Sequence, residues 1–217
     1  MNNISIIPIN NLPEFEPKHD LADEIVKSFS SNNFVLEDKD VIVITQKIVS
    51  KVEDRLIKND NESIEKLIQQ ESLEILRKRG DTVIARTKHG FICANAGIDK
   101  SNIEKGSVLL LPEDPDKTSR DIRKKIERVT NKKISIIISD TFGRAWRKGQ
   151  TNVAIGSSGI QPLESYIGEK DAFDNELFAT EIAIIDELAG AAELVMKKSD
   201  NIPVAIIRGV NYKYTDL

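Results

Sequence analysis

The residues best suited to chemistry are Ser139, Asp140 and Thr141, which directly follow the apolar run at residues 134–138. A carboxylate at the end of a buried strand is held rigidly and points into the crevice beside that strand. The adjacent threonine hydroxyl adds a second hard oxygen, and such pairs suit Mg²⁺ or Mn²⁺, which bridge protein carboxylates and substrate phosphates. The alternative is that Asp140 caps a turn and Thr141 bonds to local backbone. These residues alone leave the two interpretations even.

Three cations follow closely and strengthen the case for an anionic ligand. Arg144, Arg147 and Lys148 surround Trp146, after a turn that Gly143 permits. Arginine suits bidentate binding of phosphate or carboxylate, and lysine can act as a point charge on phosphate. Surface cations are also common where no ligand binds, so this cluster carries weight only together with the neighbouring segments.

Two further segments contribute polar groups. Glycine-rich residues 149–152 and 156–159 could present backbone amides as an anion cradle. Their spacing matches neither the Walker pattern nor the dinucleotide-binding pattern, so neither a P-loop nor a Rossmann assignment holds. Residues 95–102 place Asp99 and Asn102 in a predicted loop, which by itself is more often an Asx turn than a metal site.

The elements that must position these side chains are interleaved strands and helices. Apolar, largely β-branched runs predict strands at residues 4–9, 41–44, 107–111, 134–138 and 204–207, and a hairpin at residues 82–94. Helical spacing predicts a helix capped by Asp20 and further helices at residues 61–78, 118–130 and 180–196.

These elements predict the fold class. In the third helix, at residues 118–130, Ile122, Ile126 and Val129 should face inward, and the last helix is apolar around most of its girth, as expected in a core or subunit interface. The hairpin and the irregular glycine-rich part disfavour a regular doubly wound sheet. We therefore expect an α+β fold, a mixed α and β chain in which residues 1–217 form one unit without a clear linker.

Composition excludes several classes of protein. Hydrophobic residues make up 40% of the 217 residues and aromatic residues only 5%, which predicts an aliphatic core. A net charge of −4 argues against a nucleic-acid binder. A local basic run is better explained as the solvated face of a helix. It comprises Arg120, Arg123, Lys124, Lys125, Arg128, Lys132 and Lys133.

The chain has no apolar window of membrane-spanning length and no signal-peptide pattern, so we expect a cytoplasmic protein without a membrane partner. The single cysteine, Cys93, excludes an intrachain disulfide and should be a small buried hydrophobe. His19 and His89 should be surface residues in loops.

Taken in order, five segments resemble the coenzyme F-420-0:L-glutamate ligase family, also called the gamma-glutamyl ligases. They are VIVITQKIVSK at residues 41–51, NAGIDKSN at 95–102, SDTFGRAWRKGQTNVAIGSSG at 139–159, DELAGAAELVM at 186–196 and PVAIIRG at 203–209. The Asp-Thr-x-Gly-Arg segment followed by Ala-Ile-Gly is highly specific, whereas the hydrophobic closing runs are weak by themselves.

The resemblance implies a ligase that uses GTP and Mg²⁺ or Mn²⁺ to add L-glutamate to a deazaflavin coenzyme precursor, F-420-0. The glutamates would be joined through γ-linked amide bonds by way of an acyl phosphate. It also implies an intertwined homodimer whose protomers have two closely joined α+β lobes. The alternatives are a GTP-binding regulatory protein on the same scaffold and an amide ligase for a different carboxylate acceptor.

The resemblance also assigns site residues. The family's metal ligands fall on Asp99, Asp140 and Thr141. From their own chemistry, Asp140, Arg144 and Arg147 are the catalytic candidates, with the arginines binding phosphate or substrate carboxylate. Lys198 stands at a position where the family can carry a metal-binding Glu, so it could contact phosphate instead. The family's GTP contacts fall on Leu12, Pro13, Glu14, Phe15, Gln46, Lys47, Lys51, Asn102, Met196, Lys197, Lys198, Ser199, Asp200, Asn201 and Ile202.

Overall fold

The computed structural model describes residues 3–58 and 64–216, which form interleaved strands and helices. The strands are β1 (Ser5–Ile9), β2 (Val41–Thr45), β3 (Leu56–Lys58), β4 (Ser72–Arg79), β5 (Thr82–Thr87), β6 (Ile92–Ala94), β7 (Ser107–Leu109), β8 (Ser135–Gly143), β9 (Gln150–Ser158), β10 (Glu164–Ser165), β11 (Glu181–Ile182) and β12 (Val204–Arg208). The α-helices are α1 (Leu21–Ser31), α2 (Gln46–Val52), α3 (Ile64–Glu71), α4 (Pro115–Thr130) and α5 (Ile184–Met196). The predicted mixed α and β class is confirmed.

A five-stranded sheet in the order β1-β12-β2-β8-β9 forms the centre of the molecule. β2 and β8 are parallel, and the other pairs are antiparallel. Ile42 and Ile44 on β2 pack in one hydrophobic cluster with α1 and α4, whereas Val41 and Val43 pack in a second cluster with α5. Because successive strand residues point to opposite faces, a strand covered on both faces needs the unbroken apolar run predicted here.

The smaller sheets lie beside this centre. β4, β5 and β6 form a three-stranded antiparallel sheet, with a small core that includes Ile68, Val83 and Ala85. β3 pairs with β7, and β10 pairs with β11. The predicted hairpin at residues 82–94 is confirmed by the pairing of β5 with β6.

Two helix starts follow from capping side chains. Asp20 accepts a hydrogen bond from the backbone N–H of Asp23 at 3.1 Å, as predicted for α1. Asp114 accepts from the backbone N–H of Lys117 at 2.9 Å, and Pro115 occupies the first turn of α4. This cap starts α4 three residues before the predicted position.

The predicted helix at residues 61–78 is wrong in its second half. Residues 61–63 lie outside the described residues, α3 ends at Glu71, and β4 follows directly and pairs with β5. Gly80, with a φ of +57°, turns the chain between these strands. Pairing with β5 therefore determines the conformation of residues 72–79, although their apolar residues continue a helical spacing.

The strand expected at residues 134–138 extends through Asp140 to Gly143, and the glycine-rich residues beyond it form β9. The predicted anion cradle at residues 156–159 is wrong for residues 156–158, because they lie in β9 and pair with β8 instead of forming a loop. Besides the bonds to β8, Ala154 N–H donates to Asp186 at 2.8 Å and Ser157 N–H donates to Asp116 at 2.9 Å.

The buried face of α4 also differs from the prediction. Val129 is 61% exposed, and the inward positions are held by Ile122, Ile126 and Arg123. Arg123 is therefore not part of a solvated face. Its guanidinium donates to Ser158 Oγ at 2.9 Å and bonds to Tyr214, and it pairs with Glu127 at 3.4 Å, which neutralises the buried charge.

Three other sequence predictions have mixed outcomes. Cys93 is buried as expected, and α5 begins at Ile184 rather than at residue 180. His19 is exposed, but His89 is half-buried, and its Nε2 lies 2.8 Å from the carbonyl oxygen of Pro112. Among the described residues, none of the helices combines the length and apolar character needed to cross a membrane.

Candidate functional site

The carboxyl ends of β2 and β8 create the candidate site. These strands are parallel neighbours, and Thr45 is in register with Ser139. The start of α2, which follows Thr45, and Asp140, which follows Ser139, therefore lie at the same edge of the sheet. In open parallel α/β sheets, ligands bind in the crevice outside the carboxyl ends of the strands, and the one parallel pair of this sheet creates the same arrangement.

Two cavities meet at this edge. The first, of about 330 Å³, is lined by residues 12–15, by α2 and by residues 196–198 and 201–203. The second, of about 410 Å³, is lined by residues 93–102 and by residues 139–143 of β8. The residues common to both linings are Thr45, Lys47, Asn102, Asn152 and Lys198. The two cavities are thus adjoining parts of one site, with two lysines at the junction.

The second cavity is acidic on one side. Burial raises the pKa of Asp140 to about 6, and the nearby charge of Asp99 adds to this effect. Burial also acts to raise the pKa of Asp99, but hydrogen bonds from Lys47 and Ser101 outweigh it and hold that pKa below its usual value. The two carboxylates therefore differ, since Asp99 has a bound cationic partner and Asp140 is largely desolvated.

Asp99 is held by contacts on both of its oxygens. Its Oδ2 accepts from Lys47 Nζ, and its Oδ1 accepts from the backbone N–H of Ser101 at 2.7 Å. Lys47 Nζ also donates to the hydroxyl and the carbonyl oxygen of Ser101. Lys47 thus neutralises Asp99 within the second cavity.

A second polar network lies on the other side of Asp140. Thr141 Oγ1 donates to Asn152 Oδ1 at 2.7 Å, and Asn152 Nδ2 donates to Glu193 Oε2 at 2.9 Å. Lys198 Nζ bonds to Thr141 Oγ1 and pairs with Glu193 Oε1 at 3.1 Å. This network links the end of β8 to β9, to α5 and to the loop after α5.

The residues of the second cavity fit a hard divalent cation. Asp99, Asp140 and Thr141 supply two carboxylates and one hydroxyl, and the raised pKa of Asp140 indicates a buried negative charge that a cation would stabilise. No group of three or more His, Cys, Asp or Glu side chains forms a metal cage within the part of the chain that the structure describes. Mg²⁺ commonly binds through one or two carboxylates together with water and substrate phosphates.

Most of the predicted GTP contacts line the first cavity. Among those that do not, Gln46 is fully buried, with its Oε1 accepting from Ser50 Oγ at 2.8 Å. Ser199 and Asp200 lie on the exposed side of the loop after α5. The predicted residues that do line the cavity are Leu12, Pro13, Glu14, Phe15, Lys47, Lys51, Asn102, Met196, Lys197, Lys198, Asn201 and Ile202.

The arginines of the predicted catalytic set occupy a different place. Arg144, Arg147 and Lys148 are exposed at the tip of the β8–β9 hairpin and line neither cavity. Arg144 donates to the carbonyl oxygens of Lys148 and Gly149, while Trp146 is fully exposed. The structure brings Asp140 to the site and leaves these cations near its rim, since Gly143 and Gln150 at the base of the tip line the second cavity.

Sequence reasoning missed Asn152 and Glu193. Glu193 is the one charged residue within the apolar stretch at residues 188–196. A single charged residue in a helix that packs on the sheet indicates that its side chain has a specific polar partner. Asn152 carries no comparable signal, because an amide in a glycine-rich run is equally typical of a surface turn.

Comparison with known proteins adds to this geometry. A family model described as F420-0:gamma-glutamyl ligase matches residues 10–209. The coenzyme F420:L-glutamate ligase of Methanocaldococcus jannaschii is 44% identical over 199 residues, which cover 83% of this chain and 80% of that protein. A protein of the same name from Methanococcus maripaludis is 44% identical over 203 residues, covering 85% of this chain and 82% of its own. The matched residues include the linings of both cavities.

Proposed function

Since the chain belongs to the F420-0:gamma-glutamyl ligase family and is a ligase, we propose that it joins L-glutamate to the deazaflavin coenzyme precursor F420-0. The bond would be a γ-linked amide, and GTP would supply the free energy. The observation that carries this proposal is the pair of adjoining cavities, one suited to a nucleotide and one acidic, with Lys47 and Lys198 at their junction.

The first cavity suits GTP with its phosphates directed toward the junction. Lys47 and Lys51 extend from α2, and Lys198 approaches from the loop after α5. These lysines provide point charges for phosphate oxygens. Apolar surface from Leu12 and Phe15 provides a wall against which a base can pack.

A divalent cation, held by Asp99, Asp140 and Thr141, would supply charge neutralisation for phosphate oxygens at this junction. The chain's own contribution is to place donors and charges around the reacting phosphate. Lys198 bonds to Thr141 and pairs with Glu193, so these contacts direct its ammonium toward the junction.

The chemistry balances through an acyl phosphate. A carboxylate oxygen of the precursor attacks the γ-phosphorus of GTP, and GDP leaves. The amine of glutamate then attacks the acyl carbon, the amine loses a proton, and inorganic phosphate leaves as the amide forms. The site's main task is to hold these groups in line and to exclude competing attack by water.

The test is a reconstitution with purified protein, F420-0, L-glutamate, GTP and Mn²⁺, followed by mass spectrometry of the coenzyme. Addition of glutamyl units that depends on GTP and Mn²⁺ supports the proposal. GTP binding without any product would favour a regulatory protein, and product formed only with another acceptor in a substrate panel would favour a different amide ligase.

The proposal includes a homodimer and a cytoplasmic location. Exposed apolar side chains on a protruding hairpin between β9 and α5 support a second copy as the partner, because such side chains are stabilised when an interface covers them. They are Leu163, Ile167, Phe173 and Phe178.

A further inference from the structure

Lys47 lies between the two cavities, and its ammonium bonds to residues of only the second cavity. Its ammonium bonds to Asp99 and Ser101 in the second cavity, and its side chain also lines the first cavity. The side chain is 17% exposed and that of Asp99 is 25% exposed. The ion pair is therefore partly desolvated, and an ion pair of this kind is less screened than one on the open surface.

The position of Lys47 on its helix leaves the ammonium free to change partners. Lys47 is the second residue of α2, which begins at the edge of the sheet, and its long side chain has several rotatable bonds. A change of rotamer moves the charge from the acidic cavity toward the first cavity while the backbone of α2 stays in place.

A cation on Asp99 would share the carboxylate oxygens with Lys47 and Ser101. The Oδ2 of Asp99 already accepts from Lys47, and its Oδ1 accepts from Ser101 N–H. A divalent cation on Asp99 would also lie close to the Lys47 ammonium, and like charges at that separation repel. Metal binding at Asp99 therefore competes with the ion pair to Lys47.

We propose that Lys47 is an exchangeable counter-ion that couples metal binding to nucleotide binding. It neutralises Asp99 until a divalent cation binds there, and it then transfers its charge to the nucleotide phosphates in the first cavity. This inference rests on the proposed function for the existence of the metal and nucleotide sites, and it adds that one side chain makes their occupancies interdependent.

The coupling is reciprocal by thermodynamic necessity. A nucleotide that attracts Lys47 into the first cavity removes the competitor from Asp99 and so raises metal affinity. A metal that displaces Lys47 makes its charge available to phosphate and so raises nucleotide affinity. Lys198 differs in its counter-ion: it bonds to the predicted ligand Thr141, but its charge is paired with Glu193, which is not a predicted metal ligand.

Lys51 provides a matched control. It lies one helical turn beyond Lys47 on α2, its side chain is 16% exposed, and it pairs with Glu14. It lines the first cavity and is absent from the lining of the second. Loss of its charge should weaken nucleotide binding without relieving any competition at Asp99.

The experiment measures Mn²⁺ affinity of the purified protein by electron paramagnetic resonance of free Mn²⁺, with and without saturating GDP. Without GDP, Lys47→Met should bind Mn²⁺ roughly five- to tenfold more tightly than the unchanged protein, since a partly exposed ion pair no longer competes. Lys47→Arg, which keeps the charge, and Lys51→Met should both match the unchanged protein.

GDP should raise the Mn²⁺ affinity of the unchanged protein by a larger factor than that of Lys47→Met. The ratio of these two GDP effects should equal the ratio of the two proteins' Mn²⁺ affinities without GDP. The reason is that the Lys47–Asp99 ion pair is absent from both proteins once Mn²⁺ and GDP are bound together. Lys47→Gln replaces Lys47→Met if circular dichroism shows that the latter is unfolded.

Equal or weaker Mn²⁺ binding by Lys47→Met without GDP would overturn the inference, as would an unchanged GDP effect. Absence of Mn²⁺ binding by the unchanged protein in both conditions would overturn it as well. Glutamylation of F420-0, measured on the same preparation, separates the two levels. If glutamylated F420-0 forms but Lys47→Met leaves Mn²⁺ affinity unchanged, only the counter-ion role is refuted. If no glutamylated product forms, the proposed function is refuted.

Discussion

At the residue scale, Asp140 combines burial with a place in the lining of the second cavity. Asp140→Asn keeps the shape of the side chain and removes its charge, so we expect glutamylation to fall at least about 100-fold if the carboxylate neutralises bound cation charge. The thermal midpoint without metal should not fall, because burial disfavours the charged carboxylate more than Lys47 and Lys198 favour it, as its raised pKa indicates.

The control for this change is Asp121→Asn on the exposed face of α4, where the carboxylate only pairs with Lys117 at 3.0 Å. Its effect on stability should stay within about 0.5 kcal/mol. Glutamylation assays and thermal scans compare the activity and thermal midpoint of both variants with those of the unchanged protein. A fully active Asp140→Asn protein would refute the metal site.

Cys93 gives a second residue-scale prediction. Burial raises the pKa of its thiol to about 11, and the charge of Asp140 contributes. Because only the thiolate reacts, raising the pKa lowers the reactive fraction at every pH below 11. We expect alkylation by iodoacetamide at pH 8 to be roughly 100-fold slower than for a free cysteine with a pKa near 8.5.

The rate should rise with pH until about 11, and guanidinium-unfolded protein should react at the ordinary rate. Mass spectrometry of timed samples provides the measurement. A folded protein that reacts as fast as the unfolded one would show that the thiol is neither buried nor shifted.

The site could be predicted from the sequence where a residue's role depends on its own chemistry and immediate neighbours. Asp140 follows a run that only a buried strand explains, so its rigid placement was foreseeable. Glu193 was not foreseen, because its role depends on Asn152, which is 41 residues away in the chain, and on the loop after α5 that brings Lys198 back to it. Tertiary contacts of that kind leave little trace in local patterns.

At the element scale, β2 and β4 show why some strands were predictable. β2 is covered by helices on both faces, so its apolar residues run without interruption. In β4, Leu73, Ile75 and Leu76 are each at least 44% exposed. The strand therefore lacks the buried face whose alternation of apolar and polar residues identifies a half-buried strand in a sequence. Its conformation is decided by pairing with β5, which local spacing does not encode.

Gly156 provides the prediction at this scale. A Cβ at this position would lie 2.5 Å from the carbonyl carbon of Pro115, so β9 and the start of α4 approach each other through the missing side chain. Gly156→Ala should force these elements apart and lower the free energy of unfolding by about 1–3 kcal/mol.

Gly190→Ala on α5 is the matched control. A Cβ there would meet Thr151 Oγ1 at 3.5 Å, an ordinary contact, and alanine favours a helix over glycine. Urea unfolding of the two variants should give opposite signs relative to the unchanged protein. Equal stability of Gly156→Ala and the unchanged protein would refute the packing role of Gly156.

At the scale of the whole molecule, the hairpin at residues 161–183 projects apolar side chains into solvent. β10 pairs with β11 at its base, and Tyr166 N–H donates to the carbonyl oxygen of Thr180 further out. Phe173 is 87% exposed and Phe178 is 76% exposed. Backbone bonds thus define the hairpin, while its aromatic side chains have little cover within the described chain.

We expect a second copy of the chain to cover these rings in the proposed homodimer. Replacing Phe173 and Phe178 together with serine removes apolar area whose burial contributes about 25 cal/mol per Å², so dimer affinity should fall by several orders of magnitude. Val35→Ser, at a 75% exposed site on a different loop, should leave the dimer intact. Light scattering coupled to size-exclusion chromatography gives the mass of each variant. A dimeric double variant, or a monomeric unchanged protein, would show that this hairpin does not hold two copies together.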